Sequence, residues 1–322
     1  MGRGGRGARR ETRRALLPPR AGLRPVAAIG AARRRPDASA AGQLPTPALL
    51  TRWPYTAAMA GGASLVRWAR EGPVVTLTLD SAANRNALSR QLLADLSDGL
   101  ARARADHDVR VVVLTGSGST FCSGVDLEER LHPPAGAPAA SLSEVLSTIV
   151  AMPQPVVARV NGHVRAGGMG LVCASDLAVA PARATFGFTE VRVGVAPAMI
   201  AVPALRRMGR RAFDRYALTG DVFDAGEATA AGVLSAAVAD SDALDAWIDS
   251  VVSSLLRCAP TAVAATKSLA DLADRPWDEA LDAAAGLSDR LFAEAPAAEG
   301  MAAFLEKRNP SWAVDWPPAP RS

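Results

Sequence analysis

Two short segments have the residue types and spacing to hold negative charge with main-chain atoms alone. Phe121-Cys122-Ser123-Gly124-Val125-Asp126 takes the chain from a strand through a tight turn to a helix predicted to begin near Leu127. Asn161-Gly162-His163-Val164-Arg165-Ala166-Gly167-Gly168-Met169-Gly170 repeats the order strand, turn, helix. Small residues let a ligand approach the backbone, and a helix start offers unpaired N–H groups with a partial positive charge. Two such turns facing each other would place two donors on one oxygen. That is an oxyanion hole, worth about 2.7–4 kcal/mol per donor. Either glycine cluster alone would serve equally well as a plain tight turn.

Other chemistries find less support. Thr115-Gly116-Ser117-Gly118 follows a predicted strand, but the third glycine of a dinucleotide fingerprint would fall at Phe121. No phosphate-loop lysine follows a glycine run. The cysteines (Cys122, Cys173, Cys258) and histidines (His107, His132, His163) lack metal-ligand spacing, so no metal and no disulfide framework is expected. A reducing, cytoplasmic setting follows. No apolar run approaches the roughly 18–20 residues of a membrane span.

The elements that must position the two turns read as α/β. Val74–Leu79 is a strand of branched residues, and Ser89 is placed to cap a helix whose Leu92, Leu93, Leu96 and Leu100 repeat at helical spacing. The segments 110–115, 155–160 and 176–180 are apolar enough for strands of a buried sheet. Past about Arg206 the pattern turns mostly helical, and the proline- and glycine-rich segment 131–140 reads as a loop beside the site. The chain therefore divides into a head (1–62), an α/β core (63–205) and a helical region (206–322).

The head stands apart in charge. Up to Gly62 it holds 12 Arg and two acidic residues, a local +10, which leaves −6 on the other 260 of the 322 residues. Three readings fit it: an over-long start, since Met59 precedes regular patterning; a transit peptide; or a nucleic-acid-binding arm. The last predicts salt-sensitive binding lost on removing the residues before Met59. Nucleic acid is not otherwise expected as a partner.

Taken in order, the residues resemble the enoyl-CoA hydratase/isomerase, or crotonase, superfamily from about Leu65 to Trp312. The resemblance rests on Asn84-Arg85-Asn86-Ala87-Leu88-Ser89, both glycine turns and Thr185-Phe186-Gly187-Phe188-Thr189-Glu190. It continues through Leu218-Thr219-Gly220, Phe223-Asp224-Ala225, Gly232-Val233-Leu234, Thr266-Lys267 and 303–308. It implies a spiral of repeated ββα units with a helical C-terminal region, trimers or dimers of trimers, and a coenzyme A thioester as substrate without a separate cofactor. It assigns the oxyanion amides to Ser123 and Gly167 and the acid/base to Glu190. The thioester groove would be lined by Arg85, Ala87, Phe121, Gly124, Val125, Asp126, Leu127 and Gly168, with Asp126 ordering the turn or capping the helix. Lys267 or Lys307 would reach the CoA phosphates. No histidine or acid stands at triad spacing around Ser123, which argues against a serine hydrolase.

One position departs from the family's hydratases. These use two glutamates to hold and deprotonate a water, and the first falls at Gly170 here. A single carboxylate suffices to move a double bond, so a 3-enoyl to 2-enoyl-CoA isomerase stands beside a hydratase of 2-enoyl or branched enoyl thioesters. His163, Arg165, Glu128 and Glu129 are the polar residues near enough in sequence to hold a water instead. Phe186, Phe188, Val191 and Val193 are expected to form an apolar pocket that raises the Glu190 pKa, against a plain surface pairing with Arg192. Placing a glutamate at 170 is expected to raise hydration.

Overall fold

The structure is a computed structural model that describes residues 64–133 and 140–317. The readings of the basic head and of the loop tip at 134–139 lie outside the described residues. Ten strands follow one another there: β1 (Val66–Glu71), β2 (Val74–Leu79), β3 (Val111–Gly116), β4 (Thr120–Cys122) and β5 (Val156–Arg159), then β6 (His163–Arg165), β7 (Leu177–Pro181), β8 (Thr185–Gly187), β9 (Val222–Asp224) and β10 (Ala236–Val238). The helices are α1 (Arg90–Ala105), α2 (Leu127–Leu131), α3 (Leu142–Ala151), α4 (Gly167–Ala174), α5 (Ala198–Arg207) and α6 (Arg210–Thr219). After them come α7 (Ala225–Ala230), α8 (Ser241–Leu256), α9 (Pro260–Ser268), α10 (Trp277–Ala293) and α11 (Ala295–Glu306).

The strands sort into two sheets, one of six in the order β1-β2-β3-β5-β7-β10 and one of four in the order β4-β6-β8-β9. From β3 to β8 each pass gives one strand to the large sheet, the next to the small sheet, and then a helix. This is the expected ββα spiral. The large sheet is parallel except for the β1–β2 pair. Every residue of β2, β3 and β5 is buried, so their near-continuous apolar runs follow from being covered on both faces.

The predicted helix after Ser89 forms as its spacing dictates. Ser89 accepts the Leu92 N–H at 3.2 Å, and Leu92, Leu96 and Leu100 are fully buried against the sheet. The opposite face is covered by α8, whose Leu244, Ile248, Val252 and Leu256 pack on Val111, Val113, Val157 and Val179. Arg159, buried at the end of β5, pins α8 through Asp245. The helical reading past Arg206 needs one amendment. Two three-residue strands, β9 and β10, return there to complete both sheets, and strands that short carry no readable alternation.

The loop before α1 is built around Asn86, which has no exposed surface. Its amide donates to the carbonyls of Ser117 (3.0 Å), Thr120 (2.8 Å) and Phe121 (3.2 Å), and its Oδ1 accepts the Ser81 N–H at 2.9 Å. One side chain thus ties the Arg85 loop to the segment leading into the first glycine turn. Arg85 and Asn86 both have positive φ (58° and 55°), a conformation Asn tolerates better than most residues. Asn86→Ala would leave several buried main-chain groups unpaired, at about 1–3 kcal/mol each. A fall in thermal midpoint of several degrees is expected, measured by calorimetry; an unchanged midpoint would refute the hub role.

Candidate active site

Parallel pairing of β4 with β6 in the small sheet sets the two glycine turns side by side. The approach is close enough to exclude side chains. A Cβ placed on Gly124 would lie 2.6 Å from the Ala166 Cβ and 3.3 Å from the Gly167 nitrogen. A Cβ on Gly168 would lie 2.8 Å from the Cys122 Cβ, and one on Gly167 would lie 2.7 Å from Leu88 Cδ1. Gly124 and Gly168 are therefore required by packing, beyond any need of a turn, whereas the neighbour at Gly167 is the end of a leucine side chain.

Gly167 is the first residue of α4, so its N–H has no acceptor within the helix. Ala166 before it holds φ 46°, ψ −120°, a strained conformation for a residue with a side chain. The strain is fixed from outside, because the Ala166 N–H donates to the Gly187 carbonyl at 3.0 Å. That bond also joins the turn to the segment carrying Glu190, three residues further along.

The Ser123 amide is not free as expected. It donates to the Arg85 carbonyl at 3.1 Å, because the left-handed Arg85 turns its carbonyl toward it. A substrate oxygen taking this donor must share or replace that bond. The Ser123 hydroxyl donates to the Asn84 carbonyl at 3.3 Å, in keeping with a main-chain role.

Glu190 opens a short 3₁₀ turn, Glu190–Val193, after β8. It is half-buried, and its Oε2 is buried without a hydrogen-bond partner. Burial pushes the carboxyl pKa up, opposed only by its own backbone N–H. The surface pairing with Arg192 does not occur, since Arg192 pairs with Asp221 at 3.1 Å. Phe186 and Phe188 are fully buried as expected, but Val191 and Val193 are exposed, so the valines build no pocket.

The expected groove residues separate. Arg85, Val125 and Leu127 are exposed around the Ser123 turn, and Ala87 is buried beside it. Phe121 corrects the expectation: its side chain has no exposed surface and belongs to the core, because it points inward from β4. Gly168 is likewise buried against Cys122. Asp126 is the N-cap of α2, accepting the Glu129 N–H at 3.1 Å. Asn84 also donates to it, at 3.4 Å.

Except for Glu128, the other polar residues are committed elsewhere. Glu129 accepts the Arg90 N–H at 2.7 Å, and Glu128 is exposed. His163 and Arg165 both bind the Thr185 hydroxyl, at 2.8 Å each. Lys267 is not available to a CoA phosphate. It is held by Asp176 at 2.8 Å and by the Ile149 and Gln154 carbonyls, while Lys307 is the left-handed C-cap of α11. The thiols of Cys122 and Cys173, close to the turns, are pushed up to about 12 by burial and so are inert as nucleophiles.

Gly170 shows a relation that sequence reading missed. A Cβ there would meet Ile200 Cγ2 at 2.7 Å and Leu146 Cδ1 at 3.4 Å. Ile200 comes from α5, thirty residues later, and is itself buried. The space beside position 170 is occupied by hydrocarbon, so the expected gain in hydration from a glutamate at 170 alone is withdrawn.

Comparison with known proteins agrees with this architecture. The enoyl-CoA hydratase/isomerase family profile matches residues 69–315. The chain is 34% identical over 245 residues to the (E)-benzylidenesuccinyl-CoA hydratase of Thauera aromatica, covering 74% of this chain and 95% of that one. It superposes on the Pseudomonas aeruginosa protein AtuE with a TM-score of 0.72 at 36% identity, covering 78% of this chain and all of the other. An enoyl-CoA hydratase structure from Mycobacterium smegmatis gives 0.71 at 33% identity, covering 78% and 99%. The chain belongs to the enoyl-CoA hydratase/isomerase (crotonase) superfamily and is an enzyme of its hydratase type, acting on acyl-CoA.

Proposed function

We propose that Glu190 is the acid/base of this enzyme and that the Ser123 and Gly167 amides hold the thioester oxygen as its enolate forms. The observation that carries the reading is the buried, unpaired Oε2 of Glu190 on a segment tied to the Gly167 turn. A carboxylate kept out of water and without a partner has a raised pKa and a lone pair free to accept a carbon-bound proton. The amides act where charge develops and require no movement of protons. The substrate is a 2-enoyl or branched enoyl thioester, and the chemistry of Glu190 and the amides needs no further cofactor. Arg85, Ala87, Val125 and Leu127 line its approach, on the core division 63–205.

A second reading, isomerisation of a 3-enoyl to a 2-enoyl thioester, is favoured by the hydrocarbon packed against Gly170. It needs only one carboxylate to move a proton between two carbons. Assembly into trimers or dimers of trimers through the 206–322 region is proposed from the large apolar residues α10 and α11 leave exposed, Trp277, Phe292, Phe304 and Leu305 among them. A light-scattering mass that is not a multiple of three chains would exclude it. A reducing, cytoplasmic setting suits the three free thiols. Among the described residues no single helix is long and apolar enough to cross a membrane.

The deciding assay follows crotonyl-CoA and 3-hexenoyl-CoA by the conjugated-enoyl absorbance. Glu190→Gln is expected to lower kcat on whichever substrate turns over by roughly 10²–10⁴-fold; undiminished activity would remove Glu190 from the mechanism.

The pH dependence has a definite sign. The base works ionised, so kcat/KM should rise with pH through a midpoint above the ordinary glutamate value of about 4.3. Over the same window the folded state binds more protons than the unfolded one, so wild-type stability falls as pH rises. Glu190→Gln should lack that fall and be more stable than wild type at neutral pH, as read from thermal midpoints.

Gly170→Glu is expected to lower the melting point without raising hydration, since overpacking costs about 1–3 kcal/mol. Gly170→Glu with Ile200→Ala should recover part of that loss and be the variant in which hydration rises. A rise in the single variant would refute the blocking role of Ile200.

A further inference from the structure

A second concavity lies at the other end of the large sheet. It has a volume of about 280 Å³, near the lower end of the range of about 300–1,000 Å³ for small-ligand sites. Arg110 immediately precedes β3 and Pro155 immediately precedes β5, so the cleft sits at the amino ends of these strands. The glycine turns follow β4 and β6, strands of the small sheet that come after β3 and β5 in the chain, and no residue of either turn lines the cleft. The cleft is therefore separate from the thioester site.

Its chemistry is that of an apolar slot with a cationic rim. Val109, Pro155, Leu255 and Val263 supply the hydrocarbon, and Arg104 and Arg110 supply the charge. The acids of the same loop do not neutralise these arginines. Asp106 is bound to Arg70 at 2.6 Å and Asp108 approaches it at 3.9 Å. Arg110 is fixed by the Trp312 and Cys258 carbonyls, which orient its guanidinium while leaving its charge uncompensated. Arg104 is exposed and makes no ion pair among the described residues. The α9 helix also begins at the cleft, with no side-chain cap on its first turn, which adds partial positive charge. Gln154 in the cleft wall is 8% exposed. Its Nε2 is spent on the Ala103 carbonyl, and its Oε1 is a buried acceptor with no partner, so this part of the wall disfavours the anionic end of a ligand.

We propose that this cleft binds a small organic anion with an apolar body, an alkanoate-type ligand whose carboxylate faces Arg104 and Arg110 and whose chain lies on Val109, Leu255 and Val263. Carboxylate–guanidinium pairing gives the orientation and the hydrocarbon slot gives the affinity. The site is independent of the thioester chemistry.

Calorimetric titration of the full chain with sodium octanoate tests this, with coenzyme A saturating so that the thioester site stays filled. One-site binding is expected in wild type, weakened roughly tenfold or more in Arg104→Glu. Arg104→Lys should retain most of it, and Val263→Trp, which fills the slot, should abolish it. Turnover of crotonyl-CoA should be unchanged in all three variants. Absence of binding in wild type at millimolar octanoate overturns the proposal. So does binding of equal strength in Arg104→Glu and Val263→Trp, or binding that coenzyme A displaces.

Discussion

The rest of the structure depends on one close approach, that of the Gly124 turn to the Ala166–Gly167 turn. A single methyl group on Gly124 would come within 2.6 Å of the Ala166 Cβ, far inside van der Waals contact. The approach is held from both sides. Parallel pairing of β4 with β6 sets the height of the two turns, and the Gly187 carbonyl holds Ala166 in a conformation that an alanine does not adopt unaided. The same bond brings the Glu190 segment to the helix start. Under the proposed roles of Ser123, Gly167 and Glu190, one local geometry would address both the thioester oxygen and its acid/base. The strain at Ala166 persists because the surrounding main chain over-determines it.

The electrostatics follow from what is withheld. Arg192, the nearest cation in sequence to Glu190, is drawn off by Asp221, and Lys267 is drawn off by Asp176. Glu190 keeps one carboxylate oxygen buried and unpaired, which is costly for a structural residue and useful for a base. Beside Gly170 the fold places hydrocarbon, so the proposed chemistry rests on Glu190 and the amides of the two turns.

Much of this was legible in the sequence, for identifiable reasons. Continuous branched runs marked β2, β3 and β5 because a doubly covered sheet demands them, and Ser89 with its leucine spacing marked α1. The glycine turns were legible because side chains are excluded there. Long-range choices were not legible. Nothing local tells that Ile200 fills the space at Gly170, that Lys267 is sequestered, or that Phe121 faces the core while Val191 and Val193 face out. Asn86 was visible as part of a motif, but three of its four hydrogen bonds join segments about thirty residues apart. The Ser123–Arg85 bond depends on a left-handed Arg85, which no residue type announces.

The most direct measurement of the central claim is a crystal structure with acetoacetyl-CoA, whose thioester enolises without turning over. The thioester oxygen should lie about 2.7–3.1 Å from both the Ser123 and the Gly167 nitrogens. The Arg85 carbonyl should be drawn away from Ser123, and a Glu190 oxygen should face the α-carbon. A thioester oxygen bound away from either amide, with the 3.1 Å Ser123–Arg85 bond intact, would contradict the account.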